Sequence, residues 1–164
     1  MAGLLALEKT NQANYRKKFD CAEPSLNDFL QKYARKSSEG DISQTHILFD
    51  DQQKKIISYY SICNCSIQKN AVASQFAVPV REIPATLIGR LAVDKSYKGR
   101  GCGTVTLAEA LKQIRALSKI IGIKIVVVDA LNEAAVGFYQ QFGFIKFDDD
   151  PMRLFMKVAE IDTL

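Results

Sequence analysis

The sequence predicts a mixed α/β sandwich with one central crossover, and three observations carry that prediction. The first half holds a strand-turn-strand signal behind an amphipathic helix. A strand, a glycine-rich turn and a second amphipathic helix then follow in direct succession. A β-branched run, a third helix and a closing strand pair complete the chain. At 164 residues, 1-164 suits a single domain.

In chain order, the apolar run Leu4 to Leu7 stops at Glu8 and Lys9, too short for a secretory leader or a membrane span. A cytoplasmic location is therefore expected. Pro24 stands in the first turn of a helix whose apolar stripe is Leu26, Phe29, Leu30, Tyr33 and Ala34, and Gly40 ends it. Thr45–Phe49 and Ile56–Ser66 read as an antiparallel hairpin around the polar turn Asp50–Lys54. Residues 67–85 contain Pro79 and Pro84 without a clean period and read as a loop. Thr86–Val93 is a compact apolar strand. The helix Cys102–Ser118 is expected to turn Val105, Leu107, Ala108, Leu111 and Ile114 inward. Ile123–Val128 suits a buried strand. Asn132 opens a helix that ends near Phe142–Gly143, and Phe144–Phe147 pairs with Arg153–Val158 around the acidic turn Asp148–Pro151.

Composition narrows the function classes. Cys21, Cys63, Cys65 and Cys102 form no paired knuckles and His46 is the one histidine, so no metal site is expected. The thiols read as small buried apolar side chains, and His46 as structural. Charge is divided along the chain. Residues 81–124 carry nine Lys or Arg against three Asp or Glu, a local +6, whereas 125–164 carry three against seven, a local −4. A basic segment that also holds a glycine turn suits a polyanionic ligand.

That turn lies in Leu91-Ala-Val-Asp-Lys-Ser-Tyr-Lys-Gly-Arg-Gly-Cys-Gly-Thr104. Alternating glycines let the backbone turn tightly and aim several N–H groups at one point, ahead of a helix whose unpaired N–H groups favour an anion. Lys98 and Arg100 add charge, which makes the stretch a pyrophosphate cradle. A nucleoside-triphosphate loop fails, because Gly103 is followed by Thr104 and Val105 rather than by lysine. A dinucleotide fingerprint lacks its third glycine, Thr106 standing there, although Asp129 could serve as its acidic residue. A purely structural tight turn stays open at this point. Further on, Asn132 and Tyr139 share one helix face about two turns apart. Asn132 reads as cap and ligand, and Tyr139 as a core aromatic.

These two segments resemble the GCN5-related N-acetyltransferase superfamily. Its acyl-CoA turn, Arg/Gln-x-x-Gly-x-Gly/Ala, corresponds to Lys98-x-x-Gly101-x-Gly103, with lysine in place of Arg or Gln, and its Asn-x-x-Ala-x-x-x-Tyr helix to Asn132, Ala135 and Tyr139. The resemblance implies a mostly antiparallel central sheet with flanking helices, and a splayed parallel strand pair that binds acyl-CoA. It implies acetyl-CoA as co-substrate, held by Leu91, Ala92, Val93, Lys98, Gly99, Arg100, Gly101, Cys102, Gly103, Thr104, Asn132 and Tyr139. The backbone of Leu91–Val93 would pair with pantetheine and polarise the thioester. Tyr139 would hydrogen-bond the sulfur and protonate the thiolate.

Phe19-Asp-Cys21, Tyr33-Ala-Arg35, Tyr59-Tyr60-Ser61, Gly89-Arg-Leu-Ala-Val-Asp94, Val127-Val-Asp-Ala130 and Asp149-Asp-Pro-x-Arg-Leu-Phe155 extend the likeness. They resemble the acetyltransferase toxins of bacterial type II toxin–antitoxin pairs. That resemblance implies acetylation of the α-amine on aminoacyl-tRNA, a ribbon–helix–helix antitoxin as partner, DNA contact only through that antitoxin, and a homodimer. An α-amine near pKa 7.7–8.0 is partly neutral without a base, unlike a lysine side chain, and no acidic residue stands out as a general base. Arg35, Lys36, Arg81, Arg90 and Lys95 are candidates for the RNA track, with Lys112, Arg115 and Lys119 also in the basic segment. Two readings stay open beside this one: an acetyltransferase of protein N-termini or small amines, and a non-catalytic binding module on the same fold.

Overall fold

The computed structural model describes residues 2–6, 13–75 and 79–163. Packing divides the chain into two compact units, each assembled from two segments: residues 1–63 with 89–110, and residues 64–88 with 111–164.

The first unit contains β1 (Ala2–Ala6), β2 (Gln44–Asp50) and most of β3 (Lys55–Gln68), in the antiparallel order β1-β2-β3. The predicted hairpin is present. β1 adds a strand that the sequence reading did not assign, and Leu7 to Lys9 lie outside the described residues. Within β2–β3 the register slips from Leu48↔Ser58 to Phe49↔Ile56, a bulge that leaves Ile57 between rungs. The carbonyl of Ile57 accepts the N–H of Asp94 at 2.8 Å, which ties the bulge to the start of the glycine turn. The predicted first helix is composite: α1 (Ala13–Arg16) precedes it, then α2 (Pro24–Asp28) runs through a π turn, Phe29–Tyr33, into α3 (Ala34–Glu39). Phe19, Leu30, Ala34, Ile47, Ile56 and Tyr59 form this unit's core, and the Tyr59 hydroxyl donates to the Leu26 carbonyl at 2.8 Å.

The second unit is ordered β4-β5-β7-β6, with β4 (Glu82–Val93) as far as Ile88, β5 (Ile125–Asp129), β6 (Ile145–Lys146) and β7 (Arg153–Lys157). β4 and β5 are parallel, Ala85↔Ile125 to Ile88↔Val128, while β5–β7 and β6–β7 are antiparallel. The parallel ladder ends at Ile88↔Val128, yet β4 continues to Val93. Ile67, Val72, Ile83, Ile125, Val127 and Phe155 are buried together.

Three expectations are corrected. Residues 67–85 are not one loop: β3 extends to Gln68, a 3-10 segment spans Lys69–Gln75, and β4 begins at Glu82, with 76–78 outside the described residues. Pro84 is tolerated in β4 because it is exposed and takes part through its carbonyl, which accepts from Lys124 N–H at 2.8 Å. The inner face of the helix α4 (Cys102–Leu117) is Thr106, Leu107, Ala110, Leu111 and Ile114. Val105 is 49% exposed and Ala108 is exposed, because the i, i+4, i+7 line through Leu107 takes Thr106 and Ala110 as its flanks. Of the thiols only Cys21 is buried; Cys63, Cys65 and Cys102 are half-buried. His46 lies in β2 stacked on Tyr60, and burial lowers its pKa.

Candidate active site

The first unit carries the glycine turn, and its anchor is Asp94. This carboxylate is 1% exposed and caps the short helix Lys95–Tyr97. It accepts from Ser96 N–H and Oγ at 2.9 and 2.6 Å, from Asp20 N–H at 3.0 Å and from Lys55 Nζ at 2.9 Å. Burial alone pushes the carboxyl up, but these donors outweigh it and its pKa is lowered.

Asp20 is the second anchor. Its carboxylate accepts from Lys95 at 2.7 Å, from Asn27 at 3.0 Å and from Ala22 N–H at 2.9 Å, and the Lys95 bond leads in holding its pKa well below the usual range. The loop is tight enough that Ala22 sits at φ 69°, in the left-handed region. The Cys21 carbonyl accepts from Lys98 Nζ at 2.7 Å. The side chains of Lys95 and Lys98 are thus both engaged by residues 20–21.

Gly99 and Gly101 have φ of 73° and 75°, and a Cβ placed on either meets nothing within 4 Å. The glycines are required for backbone direction, and the space beside them is open. Arg100 lies over the Tyr97 ring at 5.6 Å, and Cys102 starts α4, with Gly103 half-buried and Thr104 exposed. Thr106, standing where a dinucleotide fold needs glycine, is buried. It hydrogen-bonds the Ser58 hydroxyl and donates to the Cys102 carbonyl, both at 2.6 Å. Leu91 and Val93, at the end of β4, are half-buried around the buried Ala92.

The second unit carries Asn132 and Tyr139. Asn132 caps α5 (Glu133–Gln141), its Oδ1 accepting Ala135 N–H at 2.9 Å. Tyr139 is 6% exposed, packed against Phe138 and Phe144. Burial, and then the charge of Asp129, push its hydroxyl up to about 12, so the phenol is a neutral donor at physiological pH.

Two features here escaped the sequence reading. Asp129 is gripped by Arg153 through a fork of 2.7 and 3.2 Å. A cavity of about 370 Å³ is lined by Ile67, Ala71, Phe147, Asp149, Asp150 and Arg153. Neither left a signal in the sequence: the fork joins residues brought together only by the β5–β7 ladder, and 67–85 showed no period.

The candidate RNA residues are scattered by role within their units. Arg35 pairs with Glu39 at 2.6 Å, Arg90 lies 4.1 Å from the Phe29 ring centre, and Lys36 and Arg81 are exposed. Among the described residues no group of His, Cys, Asp and Glu could hold a metal ion, and no helix is long and apolar enough to cross a membrane.

Comparison with known proteins agrees with the motif reading. The chain is 27% identical to the tRNA-acetylating toxin of Mycobacterium tuberculosis, over 100% of this chain and 98% of that one. It matches the solved structure of AtaT complexed with acetyl-methionyl-tRNAfMet at 30% identity and a TM-score of 0.89, covering 99% of this chain and 98% of the other. A Tyr-to-Phe mutant of the AtaT toxin bound to the C-terminus of the antitoxin AtaR and acetyl-CoA matches at 29% identity and TM-score 0.82, over 99% and 96%. The model of the Acetyltransferase (GNAT) family matches residues 25–144. On that match, together with the positive-φ glycine turn and the Asn132-capped Tyr139 helix, the chain belongs to the GNAT acetyltransferase family.

Proposed function

We propose that this chain is the toxin of a type II toxin–antitoxin pair that transfers acetyl from acetyl-CoA to the α-amine of the amino acid on charged tRNA, blocking translation in the cytoplasm. The observation that carries the reading is the match, over nearly the whole chain, to AtaT in complex with acetyl-methionyl-tRNAfMet. A ribbon–helix–helix antitoxin, a homodimer, DNA contact only through the antitoxin, and action of 1-164 as one domain belong to the same reading.

The glycine turn fits an acyl-CoA pyrophosphate: Gly99 and Gly101 leave open space beside N–H groups at the start of α4. Lys98 through Thr104 would hold the phosphates, Arg100 as the cation, and the backbone of Leu91–Val93 would align the pantetheine arm. Asn132 would contribute as cap and contact. Acetyl-CoA supplies the activated acyl carbonyl and a thiolate leaving group. Tyr139 then donates its O–H to the sulfur as the C–S bond breaks. A phenol at about 12 is a poorer acid than a thiol near 8.5, so its main contribution is a strong hydrogen bond. The proton that finally rests on the thiol is the one the amine loses as its N–C bond forms. An α-amine near 7.7–8.0 is partly neutral at the start, so the reaction needs no dedicated base. Arg35, Lys36, Arg81, Arg90 and Lys95 would meet acceptor-stem phosphates, and each such contact adds about one to the slope of log affinity against log salt.

The test is acetyl transfer from labelled acetyl-CoA to a pool of aminoacylated tRNA beside the same pool deacylated. Label on the charged pool alone, lost with Tyr139→Phe, is the expected result. Label on neither pool, with acetyl-CoA still bound, would reject the tRNA reading and direct the search to peptide N-termini and small amines.

A further inference from the structure

The proposed reaction asks of Arg90 only a positive charge, yet its side chain is held more firmly than a charge requires. Arg90 is exposed, and its guanidinium carbon lies over the Phe29 ring, 4.1 Å from the ring centre. That is how a guanidinium stacks on an aromatic face. Phe29 is itself fixed. It is buried and stacks on Tyr59, with ring centres 6.1 Å apart and 23° between the planes. Tyr59 in turn takes Phe19 edge-on at 5.5 Å, and its hydroxyl donates to the Leu26 carbonyl at 2.8 Å. The backbone fixes Phe29 as well. It opens the π turn Phe29–Tyr33, and its carbonyl accepts the N–H of Ala34. Arg90 therefore caps a rigid column of rings whose inner members are buried.

The outer end of that column is open. Among the described residues no carboxylate forms an ion pair with Arg90. Tyr33, the last residue of the same π turn, is 58% exposed, a second planar group facing solvent. The aliphatic stem of a lysine would cover Phe29 as well, but only a guanidinium leaves a flat, cationic surface on its far side. Such a surface suits an unpaired nucleobase, because every base has a π-face to lay on it. The place in the chain agrees. Arg90 directly precedes Leu91–Val93, the segment proposed to align the pantetheine arm. The amino acid of a charged tRNA is esterified to the terminal ribose, so the base nearest the reacting amine belongs to the single-stranded 3′ end.

We propose, taking charged tRNA as the acceptor, that Arg90 backed by Phe29 is a stacking platform for an unpaired nucleobase at the 3′ end of that RNA. Its edge nitrogens stay available to a phosphate while its face holds the base. The two tasks need different things. A phosphate is served by any cation, whereas a stacked base needs the plane. Arg90→Lys therefore keeps the charge and removes the platform.

The experiment measures binding of the full chain to deacylated total tRNA, intact or trimmed of its single-stranded 3′ end, over a series of salt concentrations. Calorimetry gives acetyl-CoA affinity for each variant. Arg90→Lys should bind intact tRNA about tenfold more weakly than the wild type. The slope of log affinity against log salt should not change, because the charge is retained, and acetyl-CoA affinity should hold. Trimming should weaken the wild type by a similar factor, and on trimmed tRNA the two proteins should bind alike. A merely structural role for Arg90 would not depend on the RNA end, so a loss that persists undiminished on trimmed tRNA overturns the proposal. So does Arg90→Lys binding intact tRNA as tightly as the wild type, a result that strikes the platform and leaves the tRNA reading standing. A wild type that binds neither tRNA overturns both.

Discussion

Residues 94–104 and the helix 133–141 reach their working states by opposite physical means. The turn is polar and shaped by donors and acceptors: Asp94 and Asp20 gather backbone and lysine donors, and two positive-φ glycines complete the curve. Tyr139 instead is shaped by desolvation among Phe138 and Phe144, which pushes its pKa up to about 12. On the proposed reaction, the difference divides the labour. The turn should govern how tightly acetyl-CoA is held, and Tyr139 how fast the bound thioester breaks. Substitutions in each region should therefore move different kinetic constants.

The largest expected effect breaks the second region alone. Tyr139→Phe keeps the aromatic packing and removes only the donor. It should lower kcat by about 10²- to 10⁴-fold while acetyl-CoA affinity holds. Single-turnover rates beside calorimetric titration check this, and a matching loss in both would remove the separation between the two regions. The phenol's pKa adds a pH corollary. Because its folded value is raised to about 12 from about 10, its protonated form persists across the physiological range, and Tyr139 sets no alkaline limb below about pH 10. Its stability contribution is complete below about 10 and is lost as pH rises through about 12.

The converse substitution is Gly101→Val. A Cβ there meets open space, so no clash opposes it, and the cost comes from φ 75°. A left-handed non-glycine residue costs about 1–2 kcal/mol, and a β-branched one more. Acetyl-CoA should bind about 5- to 30-fold more weakly as the turn relaxes, with kcat at saturation largely retained. A large fall in saturating kcat would show that the turn also positions the thioester.

These contrasts also explain what was legible before the fold was known. Local chemistry was legible: Gly99 and Gly101 encode their own φ, Asn132 its own cap, and the β-branched run its buried strand. Thr106, which stands where a dinucleotide fingerprint has glycine, is hydrogen-bonded to the Ser58 hydroxyl. What depends on partners far along the chain was not legible. The fork of Arg153 on Asp129 spans the β5–β7 ladder, and the Asp94 anchor joins Asp20, Lys55 and the β3 bulge. Val105 looked like a core residue because composition near a helix start does not fix which flank of the stripe faces inward.

Asp94→Asn tests that anchor with a smaller effect, mainly on stability. The substitution leaves Lys55 without its carboxylate and should cost about 1–3 kcal/mol near neutral pH. The sign of the pH dependence follows from its lowered pKa: the contribution is present above the unfolded value near 3.9 and is lost as pH falls through the folded one. Urea denaturation at pH 7 should therefore separate the two proteins, and the gap should narrow progressively as pH falls below about 4. A constant gap across that range would mean that shape rather than charge holds the turn.

The smallest expected effect falls on the residue where the family's motif has Arg or Gln and this chain has Lys98. If that ammonium contacted phosphate, Lys98→Gln would weaken acetyl-CoA clearly. Its Nζ instead sits 2.7 Å from the Cys21 carbonyl, on the loop that Asp20 fixes. A glutamine amide can still donate to a carbonyl, so acetyl-CoA affinity should stay within about threefold, and its salt dependence should not change. Arg100→Gln is the matched control, because Arg100 rests on Tyr97 without a carboxylate partner among the described residues, and its loss should flatten the salt dependence. If Lys98→Gln flattens it and Arg100→Gln does not, the cation that meets the phosphates is the lysine, and its bond to Cys21 is broken when acetyl-CoA binds.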